Sequence, residues 1–178
     1  MKSKEKLKRM VMISLFAAVL CIFAPFTIPL GIIPLSLSTF VLYLTAVILG
    51  KTAVFPVLVY ILIGAVGLPV FSGGIGGLER LLGPTGGFIF GYIPCALISG
   101  IIAERTKSKV FLFIGMFVST IAMYLIGVPW MVTVLGAEDI NAAIAVISVN
   151  ILPFVPVDVI KMVLAVVLGC SIKKRVKL

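Results

Sequence analysis

Asp158 and Lys161 stand three residues apart at the head of a long apolar run. It opens Pro153-Phe154-Val155-Pro156-Val157-Asp158-Val159-Ile160-Lys161 and continues from Met162 to Gly169. On a helix this spacing puts the acid and the base on one face. Pro156 suits a first helical turn, where a missing N–H costs nothing. Asp158 would sit where the helix dipole favours negative charge. Within a bilayer, placing either charge centrally costs about 2.5–3.5 kcal/mol or more. A chain that carries such a penalty usually meets something polar inside the membrane. The plainer alternative is a self-neutralising pair that only fixes the helix.

The surroundings demand a membrane. Of 178 residues, 62% are hydrophobic and the mean hydropathy is +1.32. Soluble domains are about 45–50% apolar, and a chain this size has too little polar surface to cover such a core. The formal net charge of +9 does not point to nucleic acid, because the basic residues cluster between apolar runs, as the positive-inside rule describes. There is no histidine, which removes His-based acid–base catalysis, Ser-His triads and His-ligated metals. Six acidic residues in all make a carboxylate cation cage improbable. Cys21, Cys95 and Cys170 lie in or beside apolar runs and read as buried thiols. Gly50-Lys51-Thr52 matches only the end of a P-loop: Thr45 stands where its first Gly belongs, and an apolar segment precedes it.

Six apolar segments, about 10–24, 34–49, 53–66, 87–103, 110–126 and 156–172, predict a single all-α membrane domain of six transmembrane helices covering 1–178. Residues 1–9 form a basic flank. No A-x-A site follows the first run, so it reads as a span rather than a cleaved signal. Several segments fall short of the ~20 residues that cross a hydrocarbon core. Lys2, Lys4, Lys6, Lys8, Arg9, Lys51, Arg105, Lys107, Lys109, Lys173, Lys174, Arg175 and Lys177 all fall in turns or termini on one side; Arg80 stands alone opposite. That alternation places both termini in the cytoplasm, and puts 67–86 and 127–153 outside. Lys161, twelve residues above Lys173, would lie about 18 Å up its helix, in the outer half of a ~30 Å core.

Two further patterns suggest surfaces that meet something. The outer stretch from Gly67 to Gly87 interleaves glycine with apolar residues. Such a loop can fold back at membrane depth if it lines a cavity, with glycine backbone exposed to a ligand. Within it, Gly73, Gly74, Gly86, Gly87 and Arg80 are candidate binding residues. In the first segment Ser14, Ala17, Ala18 and Cys21 form a stripe of small side chains at helical spacing, which lets another helix approach closely. That helix belongs either to a partner or to the same bundle.

The residues Gly73-Gly74 through Leu82-Gly83-Pro84-Thr85-Gly86-Gly87-Phe88, together with Leu152-Pro153-Phe154-Val155-Pro156-Val157-Asp158-Val159-Ile160-Lys161, resemble the BioY family, the biotin-binding S-components of energy-coupling-factor vitamin transporters. The family pattern is close to G-G…L-x-G-P-T/S-G-G-Y/F and P-F-x-P-G-D-x-x-K. The resemblance extends over nearly the whole chain. It departs at Val157, where the family usually has Gly, and at Ile75, where some relatives carry a polar residue. The resemblance implies a six-helix fold in a prokaryotic plasma membrane and capture of biotin from the outer side. It also implies association with a transmembrane coupling subunit and two ATPase subunits, with biotin as cargo, no cofactor in this chain and no enzymatic step. A biotin pocket needs an acceptor, a cation, backbone polar groups and apolar walls. Asp158 can accept from the ureido N–H groups. Lys161 can neutralise the carboxylate or support Asp158, and Arg80 is a second candidate for the carboxylate. Ser14, Ala17, Ala18 and Cys21 would be the docking stripe.

Rival readings keep the architecture and change the chemistry. An S-component for riboflavin would call for more aromatic residues facing the pocket, and one for thiamine would not favour Lys161. An intramembrane enzyme lacks paired carboxylates and any serine near Lys161 in sequence. A channel needs a polar ring that the segments hardly offer.

Overall fold

In a computed structural model, residues 2–28, 35–137 and 139–176 are described. The start of the second expected segment at Pro34 and the basic Lys177 lie outside them. The chain is mostly helical: α1 (Lys2–Phe23), α2 (Ser38–Leu49), α3 (Val54–Ala65), α4 (Leu78–Leu82), α5 (Gly86–Arg105), α6 (Lys109–Val134), α7 (Ile140–Asn150) and α8 (Phe154–Val176). A two-residue antiparallel ribbon pairs β1 (Thr27–Ile28) with β2 (Leu35–Ser36). Among the described residues, four helical runs are long and apolar enough to cross a bilayer: Ser38–Ala65, Gly86–Arg105, Lys109–Val134 and Phe154–Arg175.

The first of these runs is not one rod. A 3-10 turn, Gly50–Ala53, separates α2 from α3, and Gly50 holds φ at +61°. Ser38, at the start of α2, bonds the Tyr92 hydroxyl at 2.6 Å. Tyr60, midway along α3, stacks on the same Tyr92 ring at 6.5 Å. The turn between them packs instead at Gly100, two helical turns further along α5, where an added Cβ would strike the Gly50 carbonyl. The start of α2 and the middle of α3 therefore meet α5 at one level and the turn at another, so α2 and α3 fold back as a hairpin. Each arm has 12 residues, about 18 Å, less than a full ~30 Å core.

Sequence and structure differ most in the fifth segment. It was expected to end near Ile126, but α6 runs to Val134 through Gly127 and Pro129. Only glycine fits at 127, because the Phe88 ring occupies the space where a Cβ would be. The Trp130 indole donates to the Gly83 carbonyl at 3.0 Å, so the last two turns are tied to the loop ahead of α5. Pro156 lies in the first turn of α8, where backbone donors have no intrahelical partner to lose.

The core lies where α2, α5, α6 and α8 meet, with α1 packed on α2 and α3. Tyr43, Phe71, Leu20, Leu42, Met116, Met123 and Met162 are among its fully buried side chains. The interior hydroxyls of α2 and α6 are partnered, as desolvation requires. Tyr43 bonds Thr120 at 2.5 Å, and Thr120 and Ser119 each donate to the Met116 carbonyl at 2.8 Å. The opposite faces of α6 and α8 expose Phe111, Ile114, Val118, Leu125, Ile160 and Leu164, as lipid-facing helices do.

Candidate functional site

Polar side chains from α2, α6 and α8 converge at the end of the bundle where α8 begins. The i, i+3 spacing brings Lys161 Nζ to 3.3 Å from Asp158 Oδ1, with both residues buried, 7% and 4% exposed. Neither charge relies on the other alone. Thr39 donates to Asp158 Oδ1 at 3.3 Å and Tyr124 donates to Oδ2 at 2.6 Å. Lys161 also donates to the Ser36 carbonyl at 2.8 Å and to Thr39 Oγ1 at 2.9 Å. An ammonium has three N–H donors, and here all three have protein acceptors. The Ser36 carbonyl is held in place in turn, because the Ser36 hydroxyl donates to Ala24 O at 2.9 Å and β2 pairs with β1. Burying two charges this thoroughly is tolerable only with such extra hydrogen bonds.

The cluster lines one side of a cavity. Phe88, Ile89, Met123, Ile151 and Phe154 supply apolar wall. Arg80, Thr85, Ser72, Ser38, Tyr92 and Tyr124 supply polar edge. Two of these polar groups are buried without a protein partner, Arg80 Nε and Thr85 Oγ1. Arg80 Nη2 donates to the Ser72 carbonyl at 3.3 Å, which aims the guanidinium from α4 into the cavity. Partial burial lowers Arg80 from its ordinary pKa, yet an arginine remains charged at any physiological pH. The cavity thus has a neutralised ion pair with three fixed hydroxyl and carbonyl neighbours, and an arginine with donor capacity to spare.

Of the residues singled out in sequence, Asp158, Lys161 and Arg80 share this cavity. The glycines sit beside its lining. Gly73 and Gly74, with φ of +83° and +69°, make the exposed turn that closes the Phe71–Ile75 bridge. Gly86 and Gly87 are buried packing positions: a Cβ on the first would land on the Leu81 carbonyl, and on the second against Trp130. Their smallness seats α4, and with it Arg80, against α5 and α6. Sequence reasoning missed Ser36, Thr39, Thr85, Tyr92 and Tyr124. One signal was available: Ser36, Ser38 and Thr39 form a polar cluster at the mouth of an apolar segment. The small-residue stripe of α1 divides. Ala17 is buried at 2% and Cys21 packs on the core. Ser14 and Ala18 are exposed on the outer side of the helix.

Known proteins match this chain along almost its whole length. The sequence profile of the BioY family matches residues 1–178. A protein of Thermotoga maritima named biotin transporter BioY is 36% identical over 169 residues, covering 94% of this chain and 97% of the relative. Biotin transporter BioY2 of Lactococcus lactis is 33% identical, covering 94% and 91%. A 2.1 Å crystal structure of the S-component for biotin from an ECF-type ABC transporter superposes with a TM-score of 0.86 over 98% of this chain and 95% of the other. At 23% identity that likeness concerns the fold, which is the same in both. With its profile matched from end to end and relatives of this identity matched over nearly all of their own length, the chain belongs to the BioY family.

Proposed function

We propose that this chain is the biotin-binding membrane subunit of an uptake transporter, a carrier and not an enzyme. It takes biotin from the outer side and releases it inward when a transmembrane coupling subunit and two ATPase subunits drive the change. In this reading α1, α2, α3, α5, α6 and α8 are six crossings in a prokaryotic plasma membrane, with both termini cytoplasmic. The turns and ends on one side carry Lys51, Arg105, Lys109 and Lys173, whereas the cavity and the Gly-rich loop lie at the other end, which supports that orientation.

The observation that carries the reading is the division of labour in the cavity. Lys161 has no donor to spare, so a ligand carboxylate is met by Arg80, whose unpaired Nε shares the cavity with the unpaired Thr85 hydroxyl. An arginine fork suits a carboxylate in geometry as well as charge. The ureido ring, with two N–H donors and one acceptor, faces Asp158 and Tyr124, where carboxylate and phenol oxygens keep lone pairs. The apolar walls between take the thioether ring and the aliphatic tail. Gly73, Gly74, Gly86 and Gly87 shape the loop that positions Arg80, and Lys161 holds Asp158 in orientation.

Titration calorimetry of the purified chain with biotin, with riboflavin and thiamine as competitors, tests this. Tight binding of biotin unaffected by either competitor is expected. Displacement by one of them, or no biotin binding by a monodisperse sample, would overturn the assignment of cargo.

A further inference from the structure

Behind the cavity, the packing of α6 against α8 leaves a seam that the transport reading does not use. On α6 its wall is Lys109, Val110 and Phe113, then Phe117, Ile121 and Tyr124; on α8 it is Val155, Val159 and Met162, then Val163, Val166 and Val167. Each set recurs every three or four residues, so each forms one stripe on its helix. Two hollows result, one at the Lys109 end and one behind Asp158. Their polar members, Thr120, Tyr124 and Asp158, are hydrogen-bonded within the protein, so the open surface is aliphatic and aromatic carbon. From Lys109 to Tyr124 the seam is about 22 Å long.

We propose that this seam holds one acyl chain of an anionic phospholipid, with its phosphate on Lys109. In a bilayer an unfilled hollow forfeits dispersion contacts along its whole lining, and helix–helix contact there has no hydrophobic drive to close it. A flexible hydrocarbon chain fits a narrow seam of valine and phenylalanine. Half of a ~30 Å core is about 15 Å, so a chain anchored at Lys109 reaches Phe117 and Met162, at the base of the Asp158 turn. The headgroup end is cationic: Lys107, Lys109, Lys174 and Arg175 are all exposed there. Of the acids described at that end, Glu104 is paired with Lys51 at 3.7 Å, and Glu5 lies in the first turn of α1, which packs on α2 and α3.

The test is native mass spectrometry of the full chain with equimolar dioleoyl-phosphatidylglycerol and dioleoyl-phosphatidylcholine. Wild type is expected to retain the glycerol lipid about fivefold over the choline lipid, the scale of one lysine at an anionic surface. Lys109→Gln, an exposed change that leaves the core untouched, should remove the preference while keeping chain binding. Val163→Trp, which fills the hollow from a half-exposed position, should reduce retention of both lipids. Equal retention of the two lipids by wild type, or unchanged retention by the Trp variant, would overturn the proposal. So would a dimer that Val163→Trp dissociates, because a second copy would then cover the seam. The readout does not require biotin, so its failure is separate from any failure of the cargo assignment.

Discussion

Asp158 and Lys161 show how far a residue's role depends on what surrounds it. In sequence they are an acid and a base facing the same way, each free to meet a ligand. In the fold, Thr39, Tyr124 and Ser36 close around them, and Lys161 becomes the support of Asp158. Asp158→Asn is expected to weaken biotin binding at least tenfold by calorimetry and to lower the melting temperature. The second effect follows because an ammonium left buried without its counter-charge costs about 3–5 kcal/mol. Replacing both, Asp158→Asn with Lys161→Met, should recover much of the melting temperature without recovering binding. If the double variant regained affinity, the carboxylate would be structural only. Arg80 gives the complementary prediction. Arg80→Ala should weaken biotin by roughly tenfold or more, the scale of a charge-assisted hydrogen bond, but should leave the affinity for biotin amide nearly unchanged. Equal losses for acid and amide would mean that Arg80 meets another part of the ligand.

At the scale of elements, the site depends on small residues that bring the loop to the cavity. Gly86→Ala would press a methyl group onto the Leu81 carbonyl, which lies one residue from Arg80 in α4. It should therefore reduce biotin affinity although Gly86 does not line the cavity, and the loss should match that of Arg80→Ala without adding to it in the double variant. Additive losses would show that Gly86 acts elsewhere. The sequence made the apolar segments legible because length, charge and hydropathy mark a bilayer crossing directly. It could not show that α6 passes Pro129, because that depends on Trp130 reaching Gly83 across the fold. It also left Tyr124 and Thr39 unmarked. A tyrosine or threonine in an apolar run is common, and only the approach of α2 and α6 to α8 turns these two into donors for Asp158. The glycines were legible as unusual. Their use was not, since a glycine that admits a ligand and one that admits Trp130 look alike in one dimension.

At the scale of the whole molecule, α1 carries an exposed apolar face, with Leu7, Met10, Val11, Leu15 and Ile22 around Ser14 and Ala18. Small residues amid larger ones make a shallow groove in which a second helix can come close. In the proposed assembly that helix belongs to the coupling subunit. Burial divides the stripe into two testable halves. Ala18→Trp adds bulk to the outward face, so it should prevent co-purification with the coupling and ATPase subunits while leaving the melting temperature and biotin affinity of the isolated chain unchanged. Ala17→Trp forces the same bulk into a site that is 2% exposed. Overpacking of that kind costs about 1–3 kcal/mol or more, so the isolated chain itself should melt earlier. A complex that survives Ala18→Trp would move the docking surface off α1. An isolated chain that tolerates Ala17→Trp would mean that α1 can leave the bundle, and that the helix is held by its partner rather than by α2 and α3.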